Sequence, residues 1–323
     1  MLNIGLISKW HVHADGYANQ LKDDPRVNIT AVWDEDPARG LEWANDLGAQ
    51  FFADYDAFLA ADIAAVVCDS PTTMHKPLLT AAALAGKHIF TEKLIATTTE
   101  DAETIIAAIK QAGVTFTISL PVKCHPATLY VKQLIETGKL GQVTGARFRR
   151  SHGGVSSNWL PERWFDVSAT GGGAMMDLGA HPVYVMSGLL GAPKRVTAMM
   201  SNTFGTSSDE NAIALAEFEG GVLATMETAF VTEGVPDILE VYGTGGAVYM
   251  RGASLMQNIG DGMEDVPADA LPASPGDPMQ QFIQCCLDGI AAPPGLGLED
   301  ALVMTRIVEA AYASDASGGT VVL

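Results

Sequence analysis

Leu2-Asn3-Ile4-Gly5-Leu6-Ile7-Ser8-Lys9-Trp10-His11-Val12-His13 is the stretch that decides the fold class. A short apolar run breaks at a polar turn and passes into a helical pattern over 13–22. Working outward, similar runs at 28–34, 64–69, 88–92 and 115–120, with a weaker one near Phe51-Phe52, read as buried parallel strands. Helical patterns over 37–47, 75–85 and 99–112 separate them, and Gly48, Gly86 and Gly113 stand where helix C-terminal caps belong. This alternation predicts an α/β domain over residues 1–120 with a doubly wound parallel sheet. Such sheets bind ligands at the carboxyl ends of their strands.

A dinucleotide site at the first turn would use G-x-G-x-x-G, letting backbone approach a pyrophosphate at a helix N-terminus. Here Ser8, Trp10 and His13 hold the glycine positions. Ser8 and the backbone of His11 and Val12 are left as donors, and Trp10 must turn outward or cover the cofactor. Asp34 closes the second strand at a suitable distance to bind a ribose diol, and its charge would repel a 2′-phosphate, which favours NAD over NADP. An aspartate there is equally a helix cap, and Arg39 lies close enough to complicate the preference.

After Leu120 the rhythm changes, so residues 121–323 are expected to form a second domain. A helix near 126–137 is followed by a strand near 142–151 that carries Arg147, Arg149 and Arg150. Strands at 194–204, 211–219, 222–231, 237–243 and 247–251, joined by tight turns, predict a mainly antiparallel open sheet. Residues 260–276 read as a mobile loop, and helices near 278–290 and 298–314 close the chain. At its centre lies Gly171-Gly172-Gly173-Ala174-Met175-Met176-Asp177-Leu178-Gly179-Ala180-His181-Pro182-Val183-Tyr184. A helix here would point Asp177 and His181 the same way, an acid able to orient an imidazole with a pKa near neutrality. The same spacing is also that of an ordinary helix-surface hydrogen bond.

Composition narrows the function classes. The 323 residues are 48% hydrophobic, ample for two cores, but no apolar run reaches the ~18 residues of a membrane span. A net charge of −19 argues against nucleic acid or an anionic membrane as partner. No signal peptide is visible, and Cys68, Cys124, Cys285 and Cys286 lack disulfide or metal spacing, which fits reduced thiols in a cytoplasm. His11, His13 and His75 invite a metal reading, but no Cys/His/carboxylate spacing supports zinc, and capping or pocket lining is expected instead.

Four segments in order carry a resemblance: Asp69-Ser70-Pro71-Thr72-Thr73-Met74-His75, Ala85-Gly86-Lys87-His88-Ile89-Phe90-Thr91-Glu92-Lys93, Gly171 through Pro182, and Glu309-Ala310-Ala311-Tyr312-Ala313-Ser314. Together they resemble the Gfo/Idh/MocA oxidoreductase family nearly end to end. The resemblance implies a Rossmann domain followed by an α/β domain whose open sheet supports a homodimer or homotetramer. It also implies an NAD(P)-dependent hydride transfer with a sugar, polyol or related hydroxy compound. Carried over by motif, Lys93, Asp177 and His181 would be catalytic, with His181 as base and Lys93 balancing alkoxide charge. Ser70, Pro71, His75, Glu92 and Lys123 would join the cofactor site. His152, Trp159, Arg163 and Trp164, in the loop before the catalytic stretch, suit a carbohydrate ring or simply pin the loop. Tyr184 stands where inositol dehydrogenases of the family carry an aspartate that binds a substrate hydroxyl, so it is expected at the substrate and argues against myo-inositol. Leu94 replaces the family's proline after Lys93. Two alternatives share the fold: NAD-assisted glycosidase, lyase or epimerase chemistry without net redox change, and a non-catalytic sugar-responsive regulator.

Overall fold

The computed structural model describes residues 1–260 and 262–323. The chain divides into two compact units, Met1–Ser119 with Gly276–Leu302, and Leu120–Pro275 with Val303–Leu323. The break near residue 120 is where the strand–helix rhythm stops. The return of residues 276–302 to the first unit has no counterpart in that reading.

The first unit runs β1 (Leu2–Ile7), α1 (Ala14–Asp23), β2 (Val27–Trp33), α2 (Pro37–Leu47), β3 (Gln50–Phe52), α3 (Tyr55–Leu59), β4 (Ala65–Cys68), α4 (His75–Leu84), β5 (His88–Thr91), α5 (Thr99–Ala112) and β6 (Phe116–Ile118). Its six strands lie in the order β3-β2-β1-β4-β5-β6, and each neighbouring pair is parallel. That is the doubly wound Rossmann order. Local chemistry sets the boundaries: Asp36 caps α2 by accepting from Ala38 N and Arg39 N, with Pro37 as its first residue.

Helix α1 buries Ala14, Tyr17, Ala18 and Leu21, a spacing that forms one stripe. The stripe packs into a core with Ile4, Leu6, Val32, Val67 and Phe90 of the sheet and Trp43 of α2. Met279, Phe282 and Ile283 complete this core from the helix at Pro278–Asp288, which the sequence reading had placed in the second domain. Each buried side chain of that size contributes roughly 1.5–3 kcal/mol. An apolar stripe at i, i+3, i+4 announces a buried face, yet it does not say which sheet will bury it.

The second unit contains α6 (Pro126–Glu136), β7 (Val143–Ser151), α7 (Val167–Thr170), α8 (Ala180–Leu190), β8 (Arg195–Ser201), β9 (Asn211–Glu217), β10 (Leu223–Ala229), β11 (Ile238–Gly243), β12 (Gly246–Arg251), β13 (Ser254–Asn258), β14 (Glu264–Asp265) and β15 (Val321–Val322). They form one sheet, β14-β13-β12-β11-β7-β10-β9-β8-β15, antiparallel except where β10 runs parallel to β7. The stretch 260–276, read as a loop, contributes β14 and a 3₁₀ turn at Ala268–Ala270.

Alternation along β9 buries Ala212, Ala214 and Ala216 and exposes Ile213 and Leu215. On β7 it sends Arg147 and Arg149 to one face, where Glu227 of β10 pairs with both. Arg150, one residue on, faces the other side, and α8 packs against β7 and β10. No helix among the described residues is long and apolar enough to cross a membrane.

Candidate active site

The sequence-predicted residues fall in both units, at strand ends in the first and around the glycine run and the helix after it in the second. In the first unit, β1 ends at Ile7 and Ser8 adopts a left-handed conformation, φ 68°. A tight turn at this point is what the dinucleotide fingerprint uses its first glycine for. The conformation costs an L-residue roughly 1–2 kcal/mol. Ser8 Oγ offsets part of that by accepting from Trp10 N at 3.0 Å, while Ser8 N donates to Trp33 O at 2.7 Å. Trp10 is buried and does not turn outward, whereas Val12 is exposed. The His11 N–H, expected to serve a pyrophosphate, donates to Asp69 O at 3.0 Å.

Asp34 sits at the end of β2 with its side chain fully buried. Lys9 N and Asp36 N donate to its two oxygens, each at 2.8 Å. Arg39 adds a bidentate pair, Nε to Oδ2 at 3.0 Å and Nη2 to Oδ1 at 2.6 Å. A ribose diol would therefore meet a carboxylate that is already engaged, beside a guanidinium. The complication read from Arg39 in the sequence is real in the structure.

Ser70 and Pro71 follow β4 and are buried, with Ser70 Oγ 3.3 Å from Cys68 Sγ. His75 is buried at the start of α4 with Nδ1 2.8 Å from Leu94 O and Nε2 3.2 Å from Ser70 O. Burial lowers its pKa against the pull of those carbonyls. It braces the loop after β4 against the loop after β5, a positioning part.

Glu92 ends β5, is buried, and accepts from His13 Nδ1 at 2.7 Å, from the Tyr17 hydroxyl, and from Lys93 N at 3.0 Å. Burial opposes its ionisation, but His11, His13 and Lys93 outweigh that and hold it well below the usual carboxylate range. Lys93 is itself buried, and the Lys93–Leu94 peptide, where the family has a proline, is cis.

In the second unit, residues 171–179 form turns, and α8 begins only at Ala180. Asp177 and His181 therefore do not share one helix face, which corrects the sequence expectation. The cause is a clamp on the glycine run. Asp209 accepts from Gly173 N, Ala174 N and Met175 N, each at 2.8 Å, through Oδ1, its backbone carbonyl and Oδ2. Tyr312 OH donates to Asp209 Oδ1 at 2.7 Å and accepts from Gly173 N and Met176 N. A Cβ on Gly173 would lie 2.7 Å from Asp209 N, and one on Gly179 2.6 Å from Met175 O, so both glycines serve close approach.

Trp164, expected at the substrate, is buried and donates from Nε1 to Asp177 Oδ2 at 3.1 Å; it orients the acid. Arg163 lies over the Trp164 ring at 5.5 Å. His152 stacks on Phe230, 5.1 Å between centroids, and its Nδ1 accepts from Gly154 N. Burial leads in lowering its pKa, against the charge of Asp177. Trp159 stands 4.7 Å from His152 and is 54% exposed, which leaves its face open to a ligand. The stem of Lys123 runs along Gly188 of α8, where a Cβ would come within 2.7 Å of Lys123 Cε.

Tyr184, also expected at the substrate, is completely buried; its hydroxyl is 2.7 Å from His181 Nδ1 and accepts from Val122 N. Arg150 Nη1 lies 3.1 Å from the same nitrogen. A guanidinium can only donate, so Nδ1 is the acceptor and the imidazole proton sits on Nε2. Sequence reading passed over Arg150, Asp209 and Tyr312. The one signal for Arg150 was its odd register against Arg147 and Arg149; Tyr312 stood in a family-like segment without a role.

A family model described as an oxidoreductase family with an NAD-binding Rossmann fold matches residues 5–120, and one for the GFO/IDH/MocA C-terminal domain matches 128–249. A D-xylose 1-dehydrogenase (NADP(+)) of Haloferax volcanii is 29% identical over 210 residues, 62% of each chain. A 2,7-anhydro-N-acetylneuraminate hydratase of Escherichia coli is 27% identical over 256 residues, 77% of this chain and 67% of that one. The solved structure of an NAD binding oxidoreductase from Klebsiella pneumoniae aligns with a TM-score of 0.82 at 26% identity, over 99% of this chain and 98% of that one.

Proposed function

The chain belongs to the Gfo/Idh/MocA family, oxidoreductases with an NAD-binding Rossmann fold, and from that premise we propose that it is a sugar or polyol dehydrogenase working mainly as a reductase. The observation that carries this reading is the donor state of His181, fixed by Arg150 Nη1 at 3.1 Å from Nδ1. A neutral imidazole with its proton on Nε2 is suited to hold a carbonyl oxygen as negative charge grows there. This replaces the role of base expected for His181.

The first unit fits a dinucleotide because Ser8 supplies the left-handed turn at the end of β1 without a glycine. Ser8, Trp10 and the Asp34–Arg39 pair would hold its phosphates and ribose, with Ser70, Pro71 and Glu92 shaping the neighbouring strand ends. When bound, the nicotinamide supplies the hydride chemistry. The Lys93 ammonium is assigned the proton that completes the alcohol, and Asp177, fixed by Trp164, a substrate hydroxyl. Trp159 and His152 offer ring faces to a carbohydrate. Tyr184 acts through His181, and its place as a fully buried strut leaves the aspartate of inositol dehydrogenases without an equivalent.

The exposed apolar side of β8 to β10, with Met199, Ile213, Leu215 and Leu223, supports a second copy, as a homodimer or homotetramer. Cys68, Cys124, Cys285 and Cys286 form no disulfide, which is consistent with a cytoplasmic protein.

The test is turnover of a panel of ketoses, aldoses and their polyols with NADH and NADPH. We expect reduction that falls at least about 100-fold in kcat in Lys93→Met and in His181→Phe, with unfolding curves unchanged. Near-normal turnover in both variants would falsify the assignment. The similarity to a hydratase favours one second reading, chemistry without net redox change. Product formation without consumption of reduced cofactor would select it.

A further inference from the structure

Among the described residues, one group of three histidine or acidic side chains brings its ligand atoms within 4.8 Å of one another: His11, His13 and Glu92. All three stand at the carboxyl ends of β1 and β5, and the chemistry proposed above uses neither ring. His75, the histidine that the sequence grouped with the first two, is committed to carbonyls elsewhere. We propose that His11, His13 and Glu92 form a binding site for one divalent transition-metal ion of the zinc class.

The donor set argues for that class. Two imidazoles and one carboxylate suit zinc and its first-row neighbours, whereas magnesium and calcium want oxygen ligands throughout. Three protein ligands leave a fourth position open, and the His13 side chain is 50% exposed, so water or a ligand can reach it.

The spacing is near what an ion requires. Bonds of about 2.0–2.1 Å in a tetrahedron place ligand atoms roughly 3.3–3.5 Å apart. Glu92 Oε1 lies 2.7 Å from His13 Nδ1 and 4.0 Å from His11 Nδ1. The first pair must open and the second close by roughly 0.5–0.8 Å, and the three ligand atoms, which lie within 4.8 Å of one another, draw together through the half-exposed His13 ring. His11 Nδ1 accepts the His13 N–H at 3.2 Å, and that hydrogen bond is given up when the nitrogen turns its one lone pair to the ion.

A second observation calls for positive charge at this place. Asp69 is buried, and neither carboxyl oxygen has a hydrogen-bond partner. Its backbone carbonyl accepts from His11 N, so it belongs to the same knot of chain. A buried carboxyl without a hydrogen-bond partner is destabilised when ionised, and a cation held in this knot of chain would favour its charged form. Binding replaces the proton that His13 Nδ1 shares with Glu92 Oε1, and that proton goes to solvent.

Full-length protein stripped with a chelator is titrated with Zn²⁺ alone, and with Co²⁺ for its visible bands. Metal content is measured after dialysis, and pH is followed in weak buffer. One ion per chain and release of a proton are expected, undisturbed by excess Mg²⁺. His13→Ala and Glu92→Gln should each weaken binding at least about 100-fold, since even outer-shell losses cost about 10–100-fold. His125→Ala, an exposed histidine of the other unit, should bind as the parent does. If Glu92→Gln fails to fold, His13→Ala, with its half-exposed ring, decides alone. Substoichiometric binding, displacement by Mg²⁺, or unchanged affinity in His13→Ala overturns the proposal, and none of these readouts depends on turnover.

Discussion

Two turns in this protein meet the demand for tight backbone in opposite ways. At Ser8 the fingerprint glycine is gone, yet the left-handed φ remains, held by Ser8 N on Trp33 O and by Ser8 Oγ on Trp10 N. At Gly173 and Gly179 the glycines are kept, because Asp209 and the Met175 carbonyl occupy the space of a side chain. A glycine used for conformation can be replaced at a cost of about 1–2 kcal/mol. A glycine used for room has no substitute unless its neighbours move. A motif match therefore weighs more in the second unit than a motif loss does in the first.

The contrast fails most visibly at Gly173. Gly173→Ala drives a methyl into the backbone of Asp209, and we expect a loss of about 3 kcal/mol or more in urea unfolding. A loss within about 0.5 kcal/mol would show that the clamp can open and that room was not the constraint.

Next in size is Glu210, beside Asp209, which is buried and accepts from Thr203 N, Phe204 N and Thr206 N. Burial opposes its charge, but those backbone donors outweigh it and depress its pKa. The stabilisation is thus fully present above the unfolded carboxylate value of about 4.3 and is lost as pH falls through the lower folded value. Glu210→Gln should cost about 2 kcal/mol at pH 7, with the gap to the parent closing on acidification. A gap that stays constant with pH would assign the loss to packing rather than charge.

The smallest effect has the opposite sign. Ser8→Gly relieves the left-handed serine but gives up the bond from Trp10 N, so the net should be a gain below about 1 kcal/mol. A clear destabilisation would mean that the serine hydroxyl matters more than the conformation, and the contrast between the two turns would need to be redrawn.

Legibility followed the range of the interactions. The six parallel strands were readable as short apolar runs, β4 buried throughout, with Gly48 and Gly113 marking helix ends. His181, Asp177 and Lys93 were readable as a set only through the family pattern, and their catalytic roles rest on the proposal above. The sequence reading placed Trp164 at the substrate by neighbourhood along the chain and Tyr184 by the family pattern, and the structure turns both inward onto Asp177 and His181. It expected His11 and His13 to cap a helix or line a pocket, and Glu92, 79 residues from His13, was not read as a partner of that ring. No periodicity reports a contact between two strand ends.

What the sequence determined by itself is what nearest neighbours along the chain determine: strand and helix order, the parallel sheet, the later run of antiparallel strands, and the absence of a glycine fingerprint. The tertiary structure decided everything that depends on which surfaces meet within each unit. The helix at 278–288 went to the first sheet because its stripe completes that core. Arg39 reached Asp34, and Arg150 reached His181, fixing the charge and the proton position of groups whose identity was already legible. Secondary structure is cast by local torsions and apolar spacing, whereas electrostatics acts through distance in space, which one-dimensional spacing does not encode.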